Sequence, residues 1–249
     1  MMRLKDKIIL VAGASSGMGR QTALRAGHEG ATVIAAARRL ADCAAVAEEI
    51  GGNSLALAID GTDPASIATG FAEISRRFGR LDGAFNNLGS TMGTARVHDI
   101  PDEQWHASLA VNLTAPFLLM KAELPLLIAA GGGAIINNSS TAGVRGTTSM
   151  ADYSAAKWGL IGLSQSAALE YGPEGIRVNT IAPGIIRTEK MQDFELQMPD
   201  LFAGLRAKIP GSRFGEMAEI GSLVTWLLSD EARFINGATI RIDGGMSAG

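Results

Sequence analysis

The sequence predicts an α/β fold: one doubly wound, parallel seven-stranded sheet with helices on both faces, formed by residues 1–249 as a single domain. Three observations predict it. Short apolar runs alternate with longer helix-patterned segments from end to end, the strand–helix–strand order of such a sheet. The short runs are apolar on both faces rather than alternating, as strands covered on both sides require. No Pro/Ser-rich linker, low-complexity tract or short repeat divides the chain, which is long enough to bury a sizeable core.

The first strand is expected at 7–13 (KIILVAG), running through a glycine turn, AGASSGMG, into a helix over 17–29. A second strand, 31–37 (ATVIAAA), precedes a helix over 40–50. The third strand lies at 54–60 (SLALAID), followed by a helix over 64–78 and a fourth strand at 81–87 (LDGAFNN). A long helix is expected over 102–130, then a fifth strand at 133–139 (GAIINNS) and a helix over 152–171. The sixth strand, 176–182 (IRVNTIA), leads into a connection, 184–215, much longer than loops usually are, which reads as a substrate lid. Its apolar residues, among them Met191, Phe194, Leu196, Met198 and Phe202, either build the lid's own small core or meet a substrate. A helix over 216–229 and a closing strand, 238–243 (ATIRID), complete the pattern.

The formal charge of −3, with basic residues scattered, gives no nucleic-acid surface. The lone Cys43 excludes an internal disulfide framework, and no Cys/His pattern has metal spacing, so no metal is expected. The apolar run at the start is too short for a secretory signal, and no uncharged stretch is expected to span a bilayer. A cytoplasmic protein with no membrane partner is the reading these features support.

Two local patterns carry chemistry. Gly13, Gly17 and Gly19 sit between the first strand and first helix, where small residues let a backbone approach a ligand and a helix N-terminus favours phosphate. The segment DYSAAKWGL places Tyr153 and Lys157 four apart, about one helical turn, so a phenol and an ammonium share a face. A nearby cation favours the ionised phenol, which makes the pair a proton donor and acceptor tuned toward neutral pH. On the other reading, a buried tyrosine merely lies beside a solvent-seeking lysine.

Taken in order along the chain, the motifs resemble the single-domain short-chain dehydrogenase/reductase family. AGASSGMG stands where that family has T-G-x-x-x-G-x-G, and NNLG (86–89) where it has N-N-A-G. Asn112 in VNLTAPF matches its helical asparagine. Ser140 precedes Tyr153 at the family spacing, which selects it over Ser139, and Lys157 completes Y-x-x-x-K. APGIIRT (182–188) matches the turn P-G-x-x-x-T. Two departures bear on cofactor fit: Ala12 replaces a threonine and Leu88 an alanine.

The resemblance implies a Rossmann-like fold and hydride transfer between a nicotinamide and a small ketone, aldehyde or secondary alcohol. By the same analogy Tyr153 is the general acid/base, and Lys157 lowers its pKa and holds the ribose. Ser140 donates to the developing oxyanion, and Asn112 holds a water joining Lys157 to solvent. It further implies a cofactor site made of Gly13, Ser15, Ser16, Gly17, Met18, Gly19, Asp60, Gly61, Asn87, Gly89, Tyr153, Lys157, Ile186 and Thr188. The second strand's end decides the cofactor: Ala37 stands where NAD enzymes carry an acid, and Arg38, supported by Arg39, can clamp a 2′-phosphate. NADP(H) is therefore expected over NAD(H), with Asp60 at the adenine end. The family also implies a homotetramer. Two alternatives share this framework: a 3-oxoacyl-[acyl-carrier-protein] reductase, and a non-catalytic dinucleotide sensor or scaffold.

Overall fold

The computed structural model describes residues 2–248. Its strands are β1 (Ile8–Ala12), β2 (Thr32–Ala37), β3 (Leu55–Ala58), β4 (Gly83–Asn86), β5 (Gly133–Asn138), β6 (Ile176–Pro183), β7 (Ile186–Arg187), β8 (Gly215–Glu216) and β9 (Thr239–Ile242). Seven form one parallel sheet in the order β3-β2-β1-β4-β5-β6-β9, while β7 and β8 pair only with each other. The order reverses direction between β1 and β4, and the crevice beyond the strand ends at such a switch is where open α/β sheets bind ligands.

The helices are α1 (Gly17–His28), α2 (Leu40–Ile50), α3 (Pro64–Phe78), α4 (Asp102–Leu109), α5 (Ala115–Ala129), α6 (Ala151–Tyr171), α7 (Glu189–Gln197), α8 (Pro199–Ala207) and α9 (Met217–Leu228). Alternation along each strand divides the core in two. Ile9, Val11 and Val33 pack against Ala23 of α1, Val46 of α2 and Val224 of α9. Leu10, Ile34 and Ile135 point the other way, onto Phe71 of α3, Leu119 and Leu127 of α5 and Ala167 of α6. Both faces are thus dry, which is why the strands read as continuous apolar runs.

Local chemistry sets the helix ends. Asp63 caps α3 by accepting from the Ala65 amide at 2.9 Å, Pro64 occupies the first turn, and Gly79 closes it in the left-handed region at φ 68°. At the start of α9, Glu216 and Glu219 exchange side-chain bonds with each other's amides as a capping box.

Two expectations change. The helix over 102–130 is interrupted: α4 and α5 are joined by a π-helical turn, Ala110–Thr114, in which the Ala115 amide donates to the Ala110 carbonyl. The whole run Asp102–Ala129 is, by length and composition, long and apolar enough to cross a membrane, although Lys121 and Glu123 interrupt its apolar part. Half of its most apolar window is buried, with Leu119, Leu124 and Leu127 in the core against the sheet, as in a core helix. The connection 184–215 is not irregular but carries β7, α7, α8 and β8 around a small cluster of Phe202, Ile209 and Phe214, with Met191 packed on it. Phe194, Leu196 and Met198 lie outside that cluster and are exposed.

Candidate active site

At the C-terminal ends of β4, β5 and β6, beside the first turn of α1, lies a cleft of about 440 Å³. Met18, Asn87, Leu88, Gly89, Ser140, Tyr153, Lys157, Ile186 and Thr188 line it. The motifs read from five separate stretches of sequence therefore meet in one place.

Lys157 is 1% exposed. Its Nζ donates to the Asn138 carbonyl at 2.8 Å and the Leu88 carbonyl at 3.2 Å, the chain ends leaving β5 and β4. Burial lowers its pKa to about 7, because two carbonyl dipoles replace hydration only in part. The Nζ stands 5.7 Å from the centroid of the Tyr153 ring. The phenol itself has its pKa raised by burial, partly offset by a hydrogen bond with the Ser140 side chain. This corrects the expectation of a phenol pulled down by its lysine. In the protein alone desolvation wins, because Lys157 directs its donors at carbonyls and is itself inclined to lose its charge.

The two serines divide their roles. Ser139 is turned inward, its Oγ donating to the Lys157 carbonyl at 3.0 Å and so docking α6 onto β5. Ser140 stays on the cleft wall, where its Oγ also accepts from the Ala142 amide at 3.1 Å.

Asn112 occupies the middle of the π-helical turn and is fully buried. Its Oδ1 accepts from the Ser90 amide at 3.1 Å, while its Nδ2 donates to the Ser90 and Ser108 carbonyls, each at 2.9 Å. It clamps the loop leaving β4 at a single residue. Gly89 fills the gap between: a Cβ there would stand 2.9 Å from Lys157 Nζ and 3.0 Å from Asn112 Oδ1.

The glycine turn fits a dinucleotide. Gly13, at φ 81°, lies so close to β4 that a Cβ would meet the Asn87 carbonyl oxygen at 2.5 Å. Gly19 is backed directly against the Gly13 carbonyl, whereas Gly17 faces open space. Ser16 caps α1 without a side-chain bond, and the first turn, containing Met18, holds no acid. A cradle of bare backbone with serine hydroxyls and no carboxylate suits a pyrophosphate.

Around the strand ends the expected residues are placed unevenly. The Arg39 Nη2 donates to Ser15 Oγ at 3.2 Å and its Nε pairs with Asp42, so Arg39, not Arg38, touches the turn. Arg38 is exposed and acts on Asp60 through charge. Asp60 accepts from the Thr62 amide at 2.9 Å and hydroxyl at 2.7 Å, which hold its carboxyl below the usual range. Gly61 lies under Leu88, whose Cδ1 is 2.5 Å from where a Cβ would be. Leu88 thus sends its bulk toward α5.

Asn138 was not foreseen as part of the site, yet its carbonyl seats Lys157 and its Nδ2 donates to Asn87 Oδ1 at 2.7 Å. The repeated Asn-Asn pairs ending β4 and β5 were the available signal. Ser90, Thr91, Ile185 and Met191 also line the cleft.

The family model described as "Enoyl-(Acyl carrier protein) reductase" matches residues 13–247. The chain is 38% identical over 245 residues to the 3-oxoacyl-[acyl-carrier-protein] reductase FabG of Escherichia coli (strain K12), covering 98% of this chain and 99% of that one. It is 36% identical over 246 residues to cyclohexanol dehydrogenase of Acinetobacter sp. (strain SE19), covering 97% and 95%. A solved structure of a short-chain dehydrogenase/reductase from Burkholderia xenovorans superposes with a TM-score of 0.90 at 37% identity, covering 99% and 98%.

Proposed function

The chain belongs to the short-chain dehydrogenase/reductase family, and from that premise we propose an NADP(H)-dependent oxidoreductase acting on small ketones, aldehydes or secondary alcohols. One observation carries the reading: Ser140, Tyr153 and Lys157 converge on a single cleft beside the glycine turn.

The residues of the turn and the cleft would hold a nicotinamide dinucleotide, which would supply or accept the hydride at the substrate carbon. The protein's groups handle the oxygen and its proton. Tyr153, kept protonated at neutral pH by burial, gives its proton to the carbonyl oxygen in reduction and takes one back in oxidation. Ser140 donates a hydrogen bond to that oxygen as charge develops on it. Lys157 lies one turn along α6 and would hold the ribose while restoring the phenol's proton. Asn112, with one lone pair of its Oδ1 left after the Ser90 bond, would hold the water that supplies it. Ser15, Ser16, Gly17 and Met18 would hold the pyrophosphate, and Arg39 with Arg38 the 2′-phosphate. The segment carrying α7 and α8 would act as lid, since Thr188 and Met191 reach the cleft from it. Following nicotinamide absorbance with a panel of small ketones, aldehydes and alcohols tests the reading. No turnover with any of them, in either direction, would sink it.

The similarity to the Escherichia coli reductase favours a second reading, an acyl-carrier-protein substrate. Exposed Glu174 and the uncharged stretch 126–133 offer an acidic carrier no basic surface. Free ketones should be the better substrates, and a direct kinetic comparison decides. The non-catalytic sensor reading is set aside, because the family is enzymatic and the reacting side chains are present.

We further propose a homotetramer. Phe117 on α5 and Trp158 and Leu169 on α6 are exposed, and Phe234 lies fully open before β9. Two such apolar faces suit two twofold contacts. A monomer mass in light scattering at micromolar concentration would refute it. A cytoplasmic location completes the proposal.

A further inference from the structure

Glu123 is completely buried in α5, behind the cleft floor. Its Oε2 accepts from Asn86 Nδ2 at 3.1 Å, and the same amide donates to Asn137 Oδ1 at 3.0 Å. Asn137 Nδ2 donates to Ser164 Oγ at 2.8 Å, and Ser164 Oγ donates to the Leu160 carbonyl at 2.7 Å. That last bond fixes the direction of the others. With its proton committed to the helix, the Ser164 oxygen accepts, so Asn137 turns its NH2 toward α6 and its carbonyl toward Asn86. Asn86 must then offer its own NH2 to both Asn137 and Glu123. The chain of bonds runs from α6 through β5 and β4 and ends on the carboxyl of α5. Burial raises that carboxyl's pKa to about 8, so it sits there uncharged at neutral pH.

The position of this chain gives it a consequence. Asn86 and Asn137 are register partners on β4 and β5. Each is followed directly by a residue of the cleft floor, Asn87 and Asn138, whose side chains bond to each other on the opposite face of the sheet. The next carbonyls out, of Leu88 and Asn138, are the two that Lys157 Nζ donates to. Any slip or splay of β4 against β5 changes the gap into which the ammonium fits. Two amide ladders, one on each face, hold that gap, and Glu123 anchors the ladder beneath.

We propose that Glu123, acting through the paired amides of Asn86 and Asn137, is a positioning residue for the Lys157 ammonium, fixing the strand ends whose carbonyls seat it. The proposal rests on Lys157 serving the reaction given above. Glu123→Leu removes the acceptor and leaves the Asn86 amide with a buried unpaired donor. Ser164→Ala breaks the same chain at its far end with almost no change of shape.

The test uses the full-length protein with lysine labelled at the ε-carbon, the Lys157 resonance being assigned by its loss in Lys157→Arg. In Glu123→Leu the carbonyl seat loosens and water reaches Nζ, so Lys157 titrates higher by on the order of half a pH unit. Its kcat falls roughly tenfold, as for a misplaced catalytic group, with a smaller change in KM. Ser164→Ala moves both readouts in the same direction, and Glu123→Gln, which keeps an acceptor oxygen, restores most of kcat relative to Glu123→Leu. If the folded Leu and Ala variants keep the wild-type Lys157 titration and kcat, Glu123 has no positioning role, even where thermal stability falls. If Glu123→Leu does not fold, Ser164→Ala decides alone. Should Lys157→Arg and Lys157→Met keep full turnover, the assignment of the reaction fails, while the titration still decides on positioning.

Discussion

Arg39 reaches from the end of β2 to the glycine turn, its Nη2 donating to Ser15 Oγ at 3.2 Å. The guanidinium is thereby held at the mouth of the phosphate cradle, with Asp42 on its far side. A 2′-phosphate bound there as proposed would meet a donor already aimed.

Arg39→Ala should therefore raise KM for NADPH by roughly 10- to 100-fold, the worth of a charge-assisted hydrogen bond, and change KM for NADH little. Replacing Ala37-Arg38 by Asp-Ile should weaken NADPH further and improve NADH, because an acid there repels the phosphate and accepts from a ribose hydroxyl. A wild-type kcat/KM that favours NADH over NADPH would show this account of the strand end to be wrong.

Tyr153→Phe keeps the ring and its packing and removes the transferable proton. The expected loss in kcat is at least ~10²-fold, with cofactor affinity nearly unchanged by fluorescence titration. Near-normal turnover in the Phe variant would mean that another group handles the proton.

Gly89→Ala places a methyl 2.9 Å from Lys157 Nζ and 3.0 Å from Asn112 Oδ1. Neither neighbour retreats easily, since both are buried and bonded to backbone. We expect kcat/KM to fall at least as far as in Asn112→Ala, with the two effects less than additive in the double variant because they disturb one contact. Strict additivity would separate Gly89 from the clamp.

Glu123 and Lys157 oppose each other in their effect on stability. Glu123 has its pKa raised from 4.5 to about 8, so the native state keeps a proton that the unfolded chain releases. Its favourable contribution is full below the unfolded value and is lost as pH rises toward about 8. Lys157, lowered from 10.5 to about 7, penalises the fold below about 7, and the penalty is relieved as pH rises toward 10.5. Glu123→Gln should thus gain stability relative to wild type as pH climbs from 4.5 to 8, and Lys157→Met should gain most below 7. Urea titrations across that range check both slopes, and a Gln variant parallel to wild type would place the Glu123 titration elsewhere.

Tyr153 and Lys157 were legible because one helical turn brings them together, and Ser140 because its spacing from Tyr153 is diagnostic in the resembled family. The seat of Lys157 was not, since it joins carbonyls from chain positions 88 and 138 that only strand pairing brings side by side. Glu123 escaped for the same reason: in KAELPLL it reads as one more helix-surface charge until the register of β4 and β5 supplies its partner. The helices of the 184–215 segment were missed because each is short, and Pro199 starts the second immediately after the first ends. The choice of Arg39 over Arg38 at the turn depends on side-chain direction, which neighbouring identical residues conceal.

The π-helical turn at Ala110–Thr114 puts α4 and α5 out of phase. A regular helix advances about 100° per residue, and the wider turn absorbs one residue more than a regular one. A helical wheel drawn through 102–129 at that regular advance therefore misplaces the stripe of α4 against that of α5 by about one residue. Gln104, whose Nε2 donates to Asp152 at 3.1 Å beside Tyr153, belongs to the first stripe. Leu119 and Glu123, facing the sheet, belong to the second. Removing one residue from the turn would return it to a regular helix, with both stripes still facing their partners but without the wide turn that carries Asn112. The segment behaves as a splice, which takes up one added residue and uses the slack to aim Asn112 at the loop leaving β4.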